Sequence, residues 1–329
     1  MNAVLWPYRF LDMKDSWAPG IRQLVRGLQA NKIKVKLHSN FICKGLKSGT
    51  YRPAKDNPTD ICIYNHAMLS DLTGNCLQAQ HNWFWKPTGP TPHHAAIDSL
   101  GYGPSLSICY DEPDFRGFHT KGFKDTVGSW ISDRVCKWGD RLSELQEPHC
   151  DDYWLILGQC SGDSVVTRMD WGGYVNKLLA VVRELCRVDE SGRRIIIKLH
   201  PYMAGRDLSM PEHVTETAGA LMEIDTRVQV ITGMCSVHPY IKHCKAVLLA
   251  NSGSGLEVMM HGKPIICWGH PEYHWTSYDL RHLCDLVRAI KLDWFKPDLQ
   301  WQWLDWFCNH FCITTDEGAA RRVKELLEK

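Results

Sequence analysis

Residues 246–261 read AVLLANSGSGLEVMMH, and this stretch decides the fold. Its first five residues form an apolar run that ends at a polar bend, which is typical of a buried strand in a parallel sheet. The bend at 251–254 is made of small polar residues and glycine, and residues 255–261 then have the apolar spacing of a helix. A strand, a tight bend and a helix in this order form the repeating unit of an α/β domain.

The same alternation runs through residues 151–329. Further strands are predicted at Tyr153–Leu157, Ile195–Leu199, Val228–Ile231 and Pro264–Trp268, and helices at Leu178–Cys186 and His238–Cys244. The first half begins in a similar way, with strands at Val4–Trp6, Lys32–Leu37 and Ile61–Tyr64 and a helix over Ile21–Leu28. Residues from Trp83 to about Pro148 lack clean periodicity and are predicted to be mostly loops. We therefore predict two α/β domains, residues 1–150 and 151–329, that face each other across a cleft.

Composition excludes several classes of protein. Of 329 residues, 23% are charged and 44% are hydrophobic, the balance of an ordinary globular protein. The net charge is only +1, but residues 1–60 contain 11 basic and 4 acidic side chains. This excess could face an anionic partner or could be a solvated surface. No apolar run reaches the roughly 20 residues that span a bilayer, so we predict no transmembrane segment.

The 14 cysteines show no repeated short spacing, and the N-terminus lacks a secretory pattern. We therefore expect free thiols and a location in the cytoplasm of a bacterium or a phage-infected cell. Cys308 and Cys312 flank His310, but Cys308 shares one predicted helix face with Trp301, Leu304 and Phe311. Buried thiols are favoured there over a metal site, and no metal site is predicted elsewhere.

Candidate ligand-binding residues follow the predicted strands, because open α/β sheets bind ligands beyond the carboxyl ends of their strands. The first group is Lys198, His200 and Pro201. A histidine in this place can donate a hydrogen bond to a phosphate or stabilise a leaving oxyanion, or it can simply pack against a turn.

The second group lies in the bend quoted above. Ser252, Gly253 and Ser254 allow close approach of a ligand, and the start of the next helix presents unpaired amide groups to an anion. The bend lacks the lysine of a Walker loop and the spacing of a dinucleotide fingerprint. Glu257 could contact the ligand or could only form a capping box with Ser254.

Two other loops are expected to share the cleft. The loop Gly158-Gln159-Cys160-Ser161 follows the strand Tyr153–Leu157, and Tyr273 lies in the polar and aromatic loop after Pro264–Trp268. Gln159 and Tyr273 are predicted to contact the bound ligand.

Four motifs in this order resemble the C-terminal half of the capsule polysaccharide synthesis glycosyltransferases, a family that includes the Kdo transferases. They are Lys198-Leu199-His200-Pro201, NSGSGLE at 251–257, His261-Gly262-Lys263-Pro264, and Gly269 with Tyr273. The resemblance covers roughly residues 152–278. It implies a GT-B-like fold, with an acceptor-side Rossmann-like domain followed by a domain that binds a nucleotide sugar.

The resemblance also implies roles for individual residues. The donor phosphate would be held by His200, Pro201, Ser252 and Ser254, and Glu257 would contact the ribose or the base. The family places an acidic residue near a glycine-rich stretch in its first domain, and Asp98 is the nearest candidate for a catalytic carboxylate. Asp98 could equally be a turn residue, and His93 and His94 are rival bases.

The resulting expectation is a metal-independent glycosyltransferase of hexosyl, pentosyl or Kdo type. Its only small-molecule partner would be a UDP- or CMP-linked sugar, which acts as a co-substrate, with no other cofactor. The acceptor would be a glycan or hydroxymethylated pyrimidine in phage DNA. For DNA, the basic residues within 1–60 could hold phosphates and the aromatic residues 83–85 could stack on a displaced base, although these aromatic residues could instead form a domain core. A sugar-nucleotide epimerase or hydrolase, and a non-catalytic nucleotide-sugar binder, are the alternatives.

Overall fold

Two β-sheets form the frame of the protein. The computed structural model describes residues 2–6, 26–32, 34–37, 61–65, 76–81, 84–86, 89–93, 95–100, 106–136, 147–161, 164–167, 173–200, 211–233 and 235–327. The predicted class, α/β with one sheet in each half of the chain, is confirmed.

The first sheet has five strands in the order β2-β1-β3-β4-β7. These strands are β1 (Asn2–Trp6), β2 (Lys34–Leu37), β3 (Ile61–Asn65), β4 (Cys76–His81) and β7 (Ala95–Asp98). The first four pair in parallel, and β7 pairs antiparallel with β4. A helical turn, α1, occupies residues 26–30 between β1 and β2. The short strands β5 (Trp85–Lys86) and β6 (Gly89–Pro90) pair with each other.

The second sheet has six parallel strands in the order β10-β9-β8-β11-β12-β13. They are β8 (Tyr153–Leu157), β9 (Ile195–Lys198), β10 (Val228–Ile231), β11 (Cys244–Leu249), β12 (Ile265–Cys267) and β13 (Tyr278–Asp279). Every residue of β8 is buried, and its side chains enter two hydrophobic cores alternately. Burial on both faces explains why these strands are continuous apolar runs.

Helices cover both sheets. After α1 they are α2 (Phe123–Ser132), α3 (Ser164–Thr167), α4 (Tyr174–Val188), α5 (Pro211–Met222), α6 (His238–His243), α7 (Gly255–Met260), α8 (Leu286–Ala289), α9 (Pro297–Trp306) and α10 (Asp316–Leu327). Short 3-10 turns occur at Ser107–Cys109, His274–Thr276 and Leu283–Asp285, and a π-helical turn at Phe307–Phe311 follows α9. Of the helices described, none is long and apolar enough to cross a membrane.

Helix α2 lies in the region that was predicted to be mostly loops. Phe123, Val127 and Trp130 are buried along one side of it, at the spacing i, i+4, i+7 that an amphipathic helix needs. The helix is only ten residues long, and the residue before it, Gly122, has a left-handed φ of 77°. A single short period within a glycine-rich segment is a weak signal, which is why the sequence did not reveal the helix.

Residues 106–136 belong to the first half of the chain but pack against the second. Phe115 and Trp130 share one hydrophobic core with Trp303 and Phe307 of the C-terminal region. The Trp275 indole also donates a hydrogen bond of 2.7 Å to the carbonyl of Ile108. This segment is therefore held by the second domain's core.

Helix α10 belongs to the second half of the chain but packs against the first. It follows Ile313, which forms an antiparallel bridge to Ala95 at the edge of the first sheet. Asn31 donates a hydrogen bond of 3.0 Å to the carbonyl of Ala320, and a Cβ on Gly27 would lie 2.6 Å from Cβ of Ala319. The last strand of the first sheet ends at Asp98 and the second sheet begins at Tyr153, but α10 packs on the first sheet.

Two histidines, the buried His238 and the partly buried His261, link residues 106–136 to the second domain. His238 Nε2 donates to the carbonyl of Val135 at 2.8 Å, and this fixes His238 Nδ1 as the acceptor from His261 Nε2 at 2.9 Å. Burial lowers the pKa of His238 and, with the charge of its neighbours, lowers the pKa of His261 to about 3. Both rings are therefore neutral at pH 7.

We predict that acid weakens this fastening. The pKa of His261 in the folded protein lies below its ordinary value of 6.5, so its contribution to stability is complete above pH 6.5 and is lost as the pH falls toward 3. At pH 4.5 the loss from this residue should be on the order of 2 kcal/mol. Urea unfolding at pH 7 and pH 4.5 measures it.

The variant His261→Gln should lose less stability between these pH values than the wild type, since an amide does not titrate. The exposed His149→Gln is the matched control and should keep the wild-type slope. Equal slopes for His261→Gln and the wild type would contradict this account of the histidine pair.

Candidate donor-binding site

The carboxyl ends of three adjacent strands, β9, β8 and β11, meet at a pocket in the second domain. Five of the predicted site residues line it: Lys198, His200, Ser252, Ser254 and Glu257. The remaining lining residues are Cys136, Leu157, Gly158, Leu199 and Val237. Parallel strands place their carboxyl ends at one edge, so the structure brings together residues that are almost 60 positions apart in the chain.

Lys198 supplies a buried positive charge to the pocket. The residue is only 4% exposed, and burial lowers its pKa. Within the described part of the chain, its ammonium group forms no hydrogen bond or ion pair. A buried charge is costly unless it is paired, so this arrangement favours an anionic ligand.

The bend before α7 is ordered by its own backbone and hydroxyl groups. Ser252 Oγ accepts a hydrogen bond of 3.2 Å from the amide of Ser254, which leaves the Ser252 hydroxyl proton for another acceptor. The Ser252 carbonyl accepts from the amide of Gly255 at 3.0 Å, and Gly253 lies in the turn itself, its carbonyl accepting from Leu256. Both serines of this bend line the pocket.

Glu257 does not act through the capping box proposed as its alternative role. Ser254 is the N-cap residue of α7, but its side chain makes no capping hydrogen bond. The Glu257 side chain is buried and lines the pocket instead. Glu257 thus contributes a buried acidic residue to the pocket wall.

Tyr273 does not line the pocket, contrary to expectation. Its side chain is 0% exposed, and its hydroxyl donates a short hydrogen bond to the carbonyl of Ser252. A Cβ on Gly255 would lie 2.1 Å from Cζ of the tyrosine ring. Tyr273 therefore supports the bend from below, and the ring fits there only because residue 255 has no side chain.

Gln159 is also a supporting residue. It is buried, its Nε2 donates to Asn251 Oδ1 at 2.8 Å, and its Oε1 accepts from the Asn251 amide at 2.9 Å. Asn251 Nδ2 in turn donates to the carbonyl of Val165. Because both ends of the Gln159 amide are used within the protein, this side chain fixes the start of the bend and does not reach a ligand.

His200 is half-buried and lies at the pocket wall, where its Nδ1 is 3.3 Å from Cys160 Sγ. Pro201 lies outside the described residues. Neither a motif nor a strand end points to Cys136 or Val237, since Cys136 lies at the end of the segment 106–136 and Val237 directly before α6. Gly158 belongs to the loop after β8 that is expected from the sequence to line the cleft, and the structure places it in the pocket.

Asp98 is placed far more deeply than a general base requires. It is 0% exposed and accepts hydrogen bonds from the amides of Leu100 and Ser107, at 2.8 and 3.1 Å, and from the Ser107 hydroxyl at 2.5 Å. Arg322 of α10 lies 3.6 Å from its carboxylate. These contacts match the turn role that was its alternative and argue against its selection as the catalytic carboxylate.

The rival base His93 also contacts other side chains of the protein. Its Nε2 lies 3.1 Å from Asn309 Oδ1, its ring meets the edge of Trp130, and burial lowers its pKa. His94 lies outside the described residues. The geometry therefore does not single out a base among the predicted candidates.

The aromatic residues 83–85 do not offer a stacking surface at Phe84. This side chain is fully buried, with its ring centroid 5.0 Å from that of Trp130 and 6.5 Å from that of Phe307. Of the two alternatives for Phe84, stacking on a displaced base or packing in a core, the structure shows the core. Trp83 lies outside the described residues.

The cysteines near the C-terminus are buried thiols, as predicted. Burial raises the pKa of both Cys308 and Cys312 well above the ordinary value, so they remain protonated. In the described stretches, no group of three or more histidine, cysteine or acidic side chains could hold a metal ion.

We predict that Gly255→Ala disrupts the bend. The added methyl group would overlap the Tyr273 ring and should cost about 1–3 kcal/mol of stability. Gly128→Ala in α2 is the matched control, since a Cβ there meets nothing within 4 Å and alanine favours a helix. Thermal unfolding should show a lower midpoint for Gly255→Ala and an unchanged or higher one for Gly128→Ala. A wild-type midpoint for Gly255→Ala would contradict the close contact.

Comparison with known proteins agrees with this architecture. Among solved structures, the chain is similar to Thermosulfurimonas dismutans KpsC, beta Kdo 2,4 transferase, with 16% identity and a TM-score of 0.56 over 93% of this chain and 89% of that one. It also matches the beta Kdo 2,7 transferase of the same KpsC, with 16% identity and a TM-score of 0.49 over 99% of both chains. No curated protein sequence matches.

The first of these similarities supports the fold, and the predicted GT-B-like α/β architecture is confirmed. The family model described as capsule polysaccharide biosynthesis protein matches residues 95–278, more than half of the chain. That range contains the whole pocket described above. The chain therefore belongs to the capsule polysaccharide biosynthesis protein family.

Proposed function

We propose that this protein is a glycosyltransferase that binds a nucleotide-activated sugar in the pocket at β8, β9 and β11 and transfers the sugar to a hydroxyl group of a glycan. One observation carries the proposal: the buried residue Lys198 lines the same pocket as His200, Ser252 and Ser254. This combination of one charge and several donors suits a phosphate group.

Glycosyl transfer requires stabilisation of the negative charge that develops on the leaving nucleotide phosphate. Lys198 supplies a positive charge, and burial strengthens its attraction for an anion because water does not screen it. Ser252 retains a free hydroxyl proton, and His200 can donate a hydrogen bond to a phosphate oxygen. These groups could stabilise the leaving phosphate without a metal ion, so we infer a metal-independent reaction.

Glu257 requires a different partner. A carboxylate beside a phosphate would repel it, whereas ribose hydroxyl groups and base amino groups donate hydrogen bonds to a carboxylate. The buried position of Glu257 on the pocket wall therefore suits the nucleoside part of the donor. A phosphate near Lys198 and a nucleoside near Glu257 would give the donor one orientation.

The acceptor is proposed to be a glycan, and the donor a CMP-linked sugar of Kdo type, because the similar KpsC structures carry Kdo transferase names. UDP-linked hexoses and pentoses are the alternative donors, and the transfer assay below includes them. Phe84 does not support a DNA acceptor, because its side chain lies in the core and cannot stack on a base. No described residue is assigned as the base that deprotonates the acceptor.

Lys198→Met is expected to weaken binding of CMP or UDP by about 10- to 100-fold, because it removes a charged hydrogen-bond donor. Isothermal titration calorimetry measures the affinity. The exposed Lys291→Met should bind as the wild type does. Equal affinity of Lys198→Met and the wild type would contradict the proposed phosphate site.

Nucleotide binding should also depend on pH through Lys198. Phosphate binding requires the charged ammonium, and burial lowers the pKa of Lys198 from the usual 10.5. Affinity should therefore decline with rising pH before an ordinary lysine would lose its proton. Lys198→Arg stays charged throughout and should bind with a flat profile up to pH 10 if it retains affinity. A flat wild-type profile would contradict this role.

The function is tested by incubating the protein with radiolabelled CMP-Kdo or UDP-sugars and with oligosaccharide or hydroxymethylated DNA acceptors. Label transferred to the oligosaccharide supports the proposal, and His200→Ala should abolish or greatly reduce it. Label in DNA, a free or epimerised sugar, or retention without turnover would each replace it with one of the other candidate functions. EDTA should leave transfer unchanged, and loss of transfer in EDTA would overturn its metal independence.

A further inference from the structure

Cys160 lies beside the pocket in a setting that differs from those of the other described thiols. Its Sγ is 3.3 Å from Nδ1 of His200, which itself lines the pocket. Cys160 is partly exposed and comes two residues after the pocket residue Gly158. The thiol thus has a polar partner and access from solvent.

The pairing is chemically directional. With its proton on Nε2, the imidazole of His200 accepts a hydrogen bond from the Cys160 thiol at Nδ1. Transfer of that proton produces a thiolate next to an imidazolium, and the thiolate is the reactive form of cysteine. The ammonium group of Lys198 in the same pocket adds positive potential, which favours the thiolate further.

Cys267 and Cys186, two of the described cysteines, lie in different settings. Burial raises the pKa of Cys267 well above its usual range. Cys186 has a similar partial exposure to Cys160, but burial, together with the nearby carboxylate of Asp225, raises its pKa to about 11. Cys186 is therefore a matched control for exposure without activation.

We propose that Cys160 is a peroxide-reactive thiol and that its oxidation closes the donor pocket. The thiolate sulfur attacks one oxygen of a hydroperoxide and the O–O bond breaks. With hydrogen peroxide, the departing hydroxide takes the proton from the His200 imidazolium and leaves as water. The sulfur is oxidised to sulfenic acid and the peroxide is reduced. The closure of the pocket rests on the proposed function, whereas the reactivity of the thiol does not.

Oxidation would close the pocket for two physical reasons. The added oxygen lies between Cys160 and His200, and it competes with a donor phosphate for the hydrogen bond of the imidazole. A sulfenate also carries negative charge, which would be attracted to Lys198 and would repel an incoming phosphate. The change is reversible, since thiols reduce sulfenic acid.

The reactivity is tested by alkylation with iodoacetamide at pH 7, with the rate at each cysteine followed by mass spectrometry. Cys160 should react at least about tenfold faster than Cys186. His200→Gln should slow Cys160 several-fold and leave Cys186 unchanged. A rate at Cys160 equal to that at Cys186, or one insensitive to His200→Gln, would overturn the proposal.

The closure is tested by titrating CMP or UDP into the folded protein before and after treatment with hydrogen peroxide. The wild type should lose nucleotide affinity at least about tenfold and recover it with dithiothreitol, whereas Cys160→Ser should show no peroxide-dependent loss. Equal loss in Cys160→Ser and the wild type would overturn the closure. Failure of the untreated wild type to bind either nucleotide would instead count against the proposed function, and the alkylation rates would still decide the reactivity of Cys160.

Discussion

The contact between the Tyr273 ring and the backbone at Gly255 determines the shape of the candidate site. The ring occupies the space that a side chain at residue 255 would fill, and its hydroxyl group holds the carbonyl of Ser252. This contact holds the bend before α7 against the loop after β12. Ser252 and Ser254 of the bend line the pocket. Gln159 fixes the other end of the bend through both hydrogen bonds to Asn251.

Buried polar groups in this protein divide into two kinds. Asp98 and Gln159 are satisfied by several hydrogen bonds within the chain, so their burial stabilises a particular local structure. Lys198 is buried at the pocket without such partners in the described part of the chain. A protein tolerates the cost of such a charge where a ligand can compensate for it, and this contrast separates supporting residues from residues proposed to bind.

The two halves of the chain are interleaved. Residues 106–136 pack into the core of the second domain and contribute Cys136 to the pocket, while α10 returns to the edge of the first sheet. The neutral pair of His238 and His261 holds the first of these crossings. Any motion of one sheet relative to the other must therefore carry residues 106–136 with the second domain, so the pocket wall remains complete.

Most strands and helices of the second domain could be predicted from the sequence. Parallel strands that are buried on both faces appear as continuous apolar runs, and helices appear as a regular spacing of apolar residues. That information is local, and it located the strands of the second sheet and the residues that follow them. Strand-end position then identified Lys198, His200, Ser252, Ser254 and Glu257, which the structure brings to one pocket.

Tertiary structure alone decided which polar side chains face that pocket. Gln159 and Tyr273 also follow strands, but hydrogen bonds hold both side chains inside the protein. Gln159 pairs with Asn251, 92 positions away along the chain, and Tyr273 pairs with Ser252, 21 positions away. Asp98 is enclosed by its own turn and by Arg322 of the last helix, and Cys136 reaches the pocket because α2 packs on the second domain. Such contacts depend on how distant elements pack, and periodicity within one element contains no information about the side chains that another element will place against it.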